Sequence, residues 1–145
     1  AAIPSIRPLD HLAEIGDDGG TALVLRTATL SYQELRSRLS RLAGWLAARV
    51  PEQGARVATW AAKGELTCLI PLAAARAGLV HVPINPLLKR AQVAHILSDS
   101  GSRLLIGGVT RLQSLGKGDV ASGCAVAAMP CVPSTGARVA KPWPV

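Results

Sequence analysis

Lys89 and Arg90 form an adjacent pair of cations just before a stretch with helical apolar spacing. Positive charge near the amino end of a helix opposes the helix dipole by about 0.3–1 kcal/mol per residue. A basic pair in that position is typical either of a contact with an anion, such as a phosphate group, or of a solvated surface doublet, which is the more common case. Lys89 and Arg90 are therefore the candidate ligand-binding residues, through an anion contact.

The run Ser134, Thr135 and Gly136, followed by Lys141, is the nearest approach to a phosphate-binding loop. Such a loop cradles phosphates with backbone N–H groups and a lysine, and it needs a strand before it and a helix after it. Neither pattern flanks this run. We therefore predict no phosphate-binding loop in the chain.

The remaining reactive side chains predict no catalytic residue and no metal site. His81 on an apolar strand and His95 on a helix lack a Ser, Cys or Asp partner, so we expect packed or surface side chains. Cys68, Cys124 and Cys131 are odd in number and unequally spaced, with no histidine at a metal-ligand spacing. No disulfide framework is expected, which suits a reducing cytoplasm.

Composition favours one soluble domain. The chain has 145 residues, of which 49% are hydrophobic and 17% charged, so it can bury a core. The longest nearly apolar stretch, residues 66–75, is shorter than the about 18 residues of a membrane span. The first residues contain no apolar block typical of a secretory signal. We expect a cytoplasmic protein without a membrane span.

The net charge of +7 raises the possibility of a nucleic-acid-binding domain. Its cations are dispersed along the chain, whereas a nucleic-acid surface concentrates them on one face with aromatic side chains for stacking. The four aromatic residues are few for that purpose, and Trp60 at a strand end is expected to fill the core rather than line a pocket. Nucleic-acid binding therefore stays as an alternative that predicts salt-dependent association.

Residues 77–86, AGLVHVPINP, join the end of a helix to a buried strand. Gly78 suits a helix C-cap, and the apolar residues that follow predict a strand over residues 79–82. Pro83 and Pro86 lack the N–H that a central strand needs, so we expect the chain to leave the sheet at Pro83. In open parallel sheets, ligands bind at that carboxyl end.

Strands and helices alternate through the rest of the chain, which predicts an α/β fold with a mostly parallel sheet and βαβ crossovers. Ser31 and Glu34 form a capping box before an amphipathic helix, and Pro71 should kink the next helix. Three parts are expected: an irregular lead-in over residues 1–21, an α/β subdomain over 22–115 and an irregular tail over 116–145. One more strand is expected at 124–129 within the tail, whose end is either a packed loop or, as we favour, frayed. The predicted strands are 22–26 paired with 29–30, then 56–61, 79–82 and 103–107. The predicted helices are 32–49, one that follows the polar residues 63–65 and runs to about 77, one that contains residues 93–97 and ends at Gly101, and 109–115.

Four segments in order resemble the amino-terminal region of the adenylate-forming ligases, which include acyl-CoA synthetases and peptide-synthetase adenylation domains. Residues 30–35, LSYQEL, resemble the motif L-[TS]-Y-x-E-L, and residues 77–86 resemble A-G-x-x-x-V-P-[LI]-[ND]. Residues 54–58, GARVA, resemble G-D-R-V-A with Ala55 in place of the acid, and residues 93–100, VAHILSDS, resemble Y-I-L-x-D-S. Asn85 favours the acyl-CoA synthetases, since peptide-synthetase domains more often have Asp there.

The resemblance implies the first subdomain of the family's large domain, in incomplete form. For the intact enzyme it implies activation of a carboxylic acid by ATP and Mg²⁺, then transfer of the acyl group to a thiol such as that of coenzyme A. The phosphates of coenzyme A are one example of the anion that Lys89 and Arg90 would contact. The family's phosphate loop places its lysine three residues after the last glycine, whereas Lys141 follows Gly136 by five. We therefore expect a fragment that lacks the phosphate loop and the catalytic lysine, binds no cofactor itself and is inactive alone. The alternative is a non-catalytic scaffold of the same fold that self-associates through exposed sheet surface.

Overall fold

A four-stranded parallel sheet lies at the centre of the computed structural model, which describes residues 7–129, 131–133 and 136–139. Its strands are β3 (Arg56–Trp60), β4 (Val80–Ile84), β5 (Leu104–Gly107) and β6 (Ala125–Ala128), in the spatial order β4-β3-β5-β6. Every neighbouring pair is parallel, so helical crossovers connect the strands. The predicted α/β class and parallel sheet are confirmed.

Helices cover both faces of this sheet. The helices are α1 (Tyr32–Arg49), α2 (Glu65–Arg76), α3 (Arg90–Ser100) and the short α4 (Val109–Gln113). Side chains of α1 and α2 pack with Val57, Leu104 and Ile106 on one face. Side chains of α3 pack with Ala58 and Leu105 on the other face, where Leu112 of α4 also packs.

Helix α1 begins with the predicted capping box. The backbone N–H of Glu34 donates to Ser31 Oγ at 3.2 Å, and the N–H of Ser31 donates to Glu34 Oε2 at 2.8 Å. Leu39, Leu42 and Leu46 are fully buried, as the apolar spacing requires. The cap and the apolar stripe together place the helix where the sequence predicts it.

Strand β4 passes through Pro83 and ends at Ile84, so the prediction that the chain leaves the sheet at Pro83 is wrong. Pro83 lies opposite Thr59 of β3 and has no strand on its other side among the described residues. An edge strand tolerates proline because the missing N–H would have pointed away from the ladder. Helix α2 continues through Pro71 as a single helix, and the kink expected there stays a prediction.

The first two strands do not belong to the central sheet. β1 (Thr21–Val24) and β2 (Thr29–Ser31) pair with each other in an antiparallel manner, as predicted, and form a separate two-stranded sheet. The alternation of strands and helices alone does not show this separation. A short connection between two strands allows only a local hairpin, so the parallel sheet begins with β3.

The lead-in, expected to be irregular, contains a 3-10 helix, Leu9–Glu14, that packs on α1 and α2. Arg76, in the last turn of α2, donates from Nε to Asp10 Oδ2 at 2.9 Å, and its Nη2 lies 3.3 Å from Glu14 Oε1. The side chain of Arg76 is 3% exposed and that of Asp10 is fully buried. A buried ion pair therefore fixes the lead-in to the core.

Several described residues of the tail contact the rest of the fold, and the expectation of a frayed end stays a prediction. Strand β6 confirms the strand predicted at 124–129, and Val132 is buried. The N–H of Val139 donates to Ser40 O at 3.0 Å. A Cβ atom on Gly44 would lie 2.0 Å from Ala137 O, so the tail approaches α1 more closely than a larger residue allows.

We expect Arg76→Met to lower the free energy of unfolding by about 3–5 kcal/mol, because it leaves the buried Asp10 carboxylate without its guanidinium partner. Urea unfolding followed by circular dichroism measures the change. The control is Arg103→Met, which breaks an exposed pair with Glu52 at 3.5 Å and should cost at most about 1 kcal/mol. Equal losses in the two variants would contradict the structural role of Arg76.

Candidate functional site

The candidate site lies at the carboxyl edge of the central sheet. The chain leaves β3 for α2 on one face of the sheet, whereas it leaves the adjacent β5 for α4 on the opposite face. Such a divergence between neighbouring parallel strands opens a crevice where ligands bind in open α/β sheets. The sequence argument from residues 77–86 indicated this same edge.

A cavity of about 430 Å³ opens beside this crevice. Its wall combines the end of β3, the loop between β4 and α3, and α4. The lining residues are Trp60, Pro86, Leu87, Leu88, Lys89, Arg90, Thr110, Arg111 and Ser114. Three cations thus lie around one cavity, which suits an anionic ligand.

Lys89 and Arg90 occupy the predicted position at the start of α3. Lys89 is the N-cap residue, and its backbone N–H donates to Gln92 Oε1 at 2.9 Å. Arg90 Nε donates to Asp119 Oδ2 at 2.7 Å, so Asp119 balances part of its charge. The hydrogen bond from Arg90, together with the Gly116 N–H, lowers the pKa of Asp119 below its ordinary value.

The sequence did not single out Arg111, which supplies the third cation of the cavity. Neither Arg111 nor Lys89 has a salt bridge among the described residues, so both charges are available to a ligand. The position of Arg111 soon after the carboxyl end of β5 was the signal that could have identified this residue. No comparable signal marks Asp119, which lies in a loop and meets Arg90 across 29 residues of chain.

Trp60 fills the core as predicted and also lines the cavity. Its side chain is 4% exposed and packs with Ile84, Val93 and Leu97. The indole Nε1 is buried and has no hydrogen-bond partner among the described residues. An unpaired buried donor costs about 1–3 kcal/mol.

His81 and His95 lie where the sequence predicts, one packed and one on the surface. His81 Nε2 is 2.7 Å from Thr59 Oγ1 in a hydrogen bond between β3 and β4, and burial lowers its pKa. His95 is exposed on α3. Ser134, Thr135 and Lys141 of the weak loop resemblance lie outside the described residues.

The described part of the chain contains no group of three or more His, Cys, Asp or Glu side chains that could hold a metal ion. Cys68, Cys124 and Cys131 are free thiols, and burial raises the pKa of Cys124. No described helix combines the length and the apolar character needed to cross a membrane.

Comparison with known proteins places this geometry in context. Residues 16–141 match the family described as "AMP-binding enzyme". The chain is 34% identical over 95 residues to the L-proline–[L-prolyl-carrier protein] ligase of Pseudomonas fluorescens, and 38% identical over 84 residues to the fatty acid–[acyl-carrier-protein] ligase ScoC of Streptomyces coeruleorubidus. These segments cover 66% and 58% of this chain. The fold resembles that of a benzoate CoA ligase from Burkholderia xenovorans, with a TM-score of 0.79 and 24% identity over 94% of this chain.

The chain spans only a small part of these proteins. It covers 19% of the prolyl ligase, 16% of the fatty acid ligase and 30% of the benzoate ligase chain. The chain therefore corresponds to one segment of a much longer protein in each case.

We expect the free energy of unfolding to fall as the pH drops below about 6.5, partly through His81. Burial lowers the folded-state pKa of His81, so the unfolded chain binds a proton at a pH where the folded chain does not. The contribution of neutral His81 to the free energy of unfolding is fully present above the pKa of this residue in the unfolded chain. It is lost as the pH falls through the pKa of His81 in the folded chain. Urea unfolding at a series of pH values should show that the free energy of unfolding depends less steeply on pH in His81→Gln than in the unmodified chain. If the free energy of unfolding of His81→Gln depends on pH as steeply as that of the unmodified chain, the contribution assigned to His81 is contradicted.

Proposed function

This chain belongs to the AMP-binding enzyme family, and we propose that it is the amino-terminal part of an acyl-CoA synthetase. The match over residues 16–141 is the observation that carries the proposal. The small share of the relatives that the chain covers supports its being a part, and Asn85 favours the acyl-CoA branch over the peptide-synthetase branch.

In the whole enzyme, the proposed reaction has two steps. The carboxylate of the acid attacks the α-phosphorus of ATP, which forms an acyl-adenylate and releases pyrophosphate. The thiol of coenzyme A then attacks the acyl carbon, which forms the thioester and releases AMP. ATP, Mg²⁺ and coenzyme A are thus the proposed ligands of the whole enzyme, with a carboxylic acid as the substrate.

The cavity beside α3 is the proposed contribution of this chain to that reaction. Lys89 and Arg111 line this cavity and carry charges that no described side chain balances. A phosphate group of coenzyme A fits this set because its oxygens accept hydrogen bonds and carry negative charge. Arg90 contributes less, since Asp119 already accepts its hydrogen bond.

We propose further that the 145-residue chain alone activates no acid. In the segment most similar to a phosphate loop, Lys141 follows Gly136 by five residues, whereas the family's loop has a spacing of three. No strand-loop-helix pattern in the sequence surrounds this segment. What this chain does instead is position one edge of the coenzyme site and support the fold around it.

Adenosine 3′,5′-bisphosphate, the nucleotide part of coenzyme A, tests the cavity directly by isothermal titration calorimetry. We expect measurable binding that weakens as salt rises, and a loss of about tenfold in affinity for each of Lys89→Ser and Arg111→Ser, because each removes a charge-assisted hydrogen bond. Arg103→Ser is the matched control, since Arg103 is an exposed arginine that precedes β5 at the opposite edge of the sheet. Affinity that falls equally in the control would show nonspecific charge attraction and contradict the site.

An ATP–pyrophosphate exchange assay with a panel of fatty and aryl acids tests the activity of the chain. We expect exchange no higher than in a reaction without protein. Exchange above that level with any acid would contradict the proposed inactivity, while leaving the result with adenosine bisphosphate to decide on the coenzyme contact.

A further inference from the structure

A second groove runs along α2, away from the cavity beside α3. Two adjoining cavities of about 730 Å³ and 300 Å³ form it, and Cys68 lines both. Residues of β1 and the turn after it line the side opposite α2. The groove belongs to the sheet face covered by α1 and α2, whereas the cavity beside α3 opens on the other face.

One end of this groove is apolar and open to water. Leu12 and Ile15, from the lead-in, are 42% and 65% exposed there. Leu23 of β1 and Leu72 of α2 complete its wall. Exposed apolar side chains gathered around a depression mark a place where an apolar ligand would exclude water.

The other end is basic. Arg26 and Lys63 line it, are exposed and have no salt bridge among the described residues. Glu65 also lies there, but Arg38 Nη1 is 2.5 Å from its carboxylate and balances its charge. The amino end of α2 lies at this same end, so its dipole adds to the attraction for an anion.

We propose that this groove binds a single free fatty acid, with its carboxylate between Arg26 and Lys63 and its acyl chain directed toward Ile15. The charge pattern requires an anionic head, and the apolar end requires a hydrocarbon tail. From Gly64 to Leu72 the helix rises about 12 Å, close to the length of an extended decanoate chain. The inference rests on this groove alone and does not depend on the proposed function.

Cys68 serves as a built-in reporter, since it is exposed and lies at the junction of the two cavities. In a chain carrying Cys124→Ser and Cys131→Ser, the rate at which a thiol reagent labels Cys68 measures whether the groove is filled. Saturating monomeric decanoate should slow labelling at least fivefold. Each methylene removed from the acid should weaken protection by up to about fourfold, because a buried methylene contributes about that factor to affinity.

Two sets of variants separate the ends of the groove. The double variant Arg26→Ser with Lys63→Ser should weaken protection by decanoate about tenfold, and so should Leu12→Ser with Ile15→Ser. Val109→Ser and Lys117→Ser are the controls, since they change an exposed apolar residue and an exposed cation that do not line the groove.

Three results would overturn the proposal. The first is labelling of Cys68 at the same rate with and without decanoate. The second is equal protection by decanol, which has the chain without the charge. The third is protection by vesicles of anionic phospholipid but not by monomeric decanoate, which would assign the groove to a membrane surface instead.

Discussion

The fold depends on a charged pair that has been removed from water. Arg76 ends α2 and meets Asp10 at 2.9 Å among side chains that are mostly apolar. Two charges in such surroundings are stable only together, because either one alone would keep the cost of its lost hydration. The ion pair therefore holds the lead-in against α2, and the 3-10 helix in turn contributes Leu12 to the apolar end of the groove along α2.

The same helix end sets the geometry of the sheet. Gly78 lies two residues after Arg76 and has a φ of 75°, and its carbonyl oxygen accepts a hydrogen bond from the N–H of Gly54 at 2.7 Å. This hydrogen bond joins the residues just before β3 and β4, which pair in register. The loop between β4 and α3 then lies at the carboxyl edge of the sheet. The positions of Lys89 and Arg90 beside the cavity thus depend on the turn at Gly78, which has no reactive side chain.

Local patterns in the sequence predict the local structure well. Ser31 and Glu34 identify the start of α1, and the pair Lys89 and Arg90 lies at the start of α3 as expected. Long-range partners are what the sequence does not show. Arg76 looks like a cation that complements the helix dipole, since nothing near it in the chain indicates that its partner lies 66 residues away. For the same reason the charges of the cavity could be predicted in part, whereas the pairing with Asp119 could not.

A double-mutant cycle on Asp10 and Arg76 tests most directly whether this buried pair holds the structure together. Asp10→Asn, Arg76→Met and the double variant would each be unfolded in urea and compared with the unmodified chain. We predict that the double variant loses less free energy of unfolding than the sum of the two single losses, by more than about 1 kcal/mol. Losses that simply add would show that the two side chains act independently, which would contradict this account.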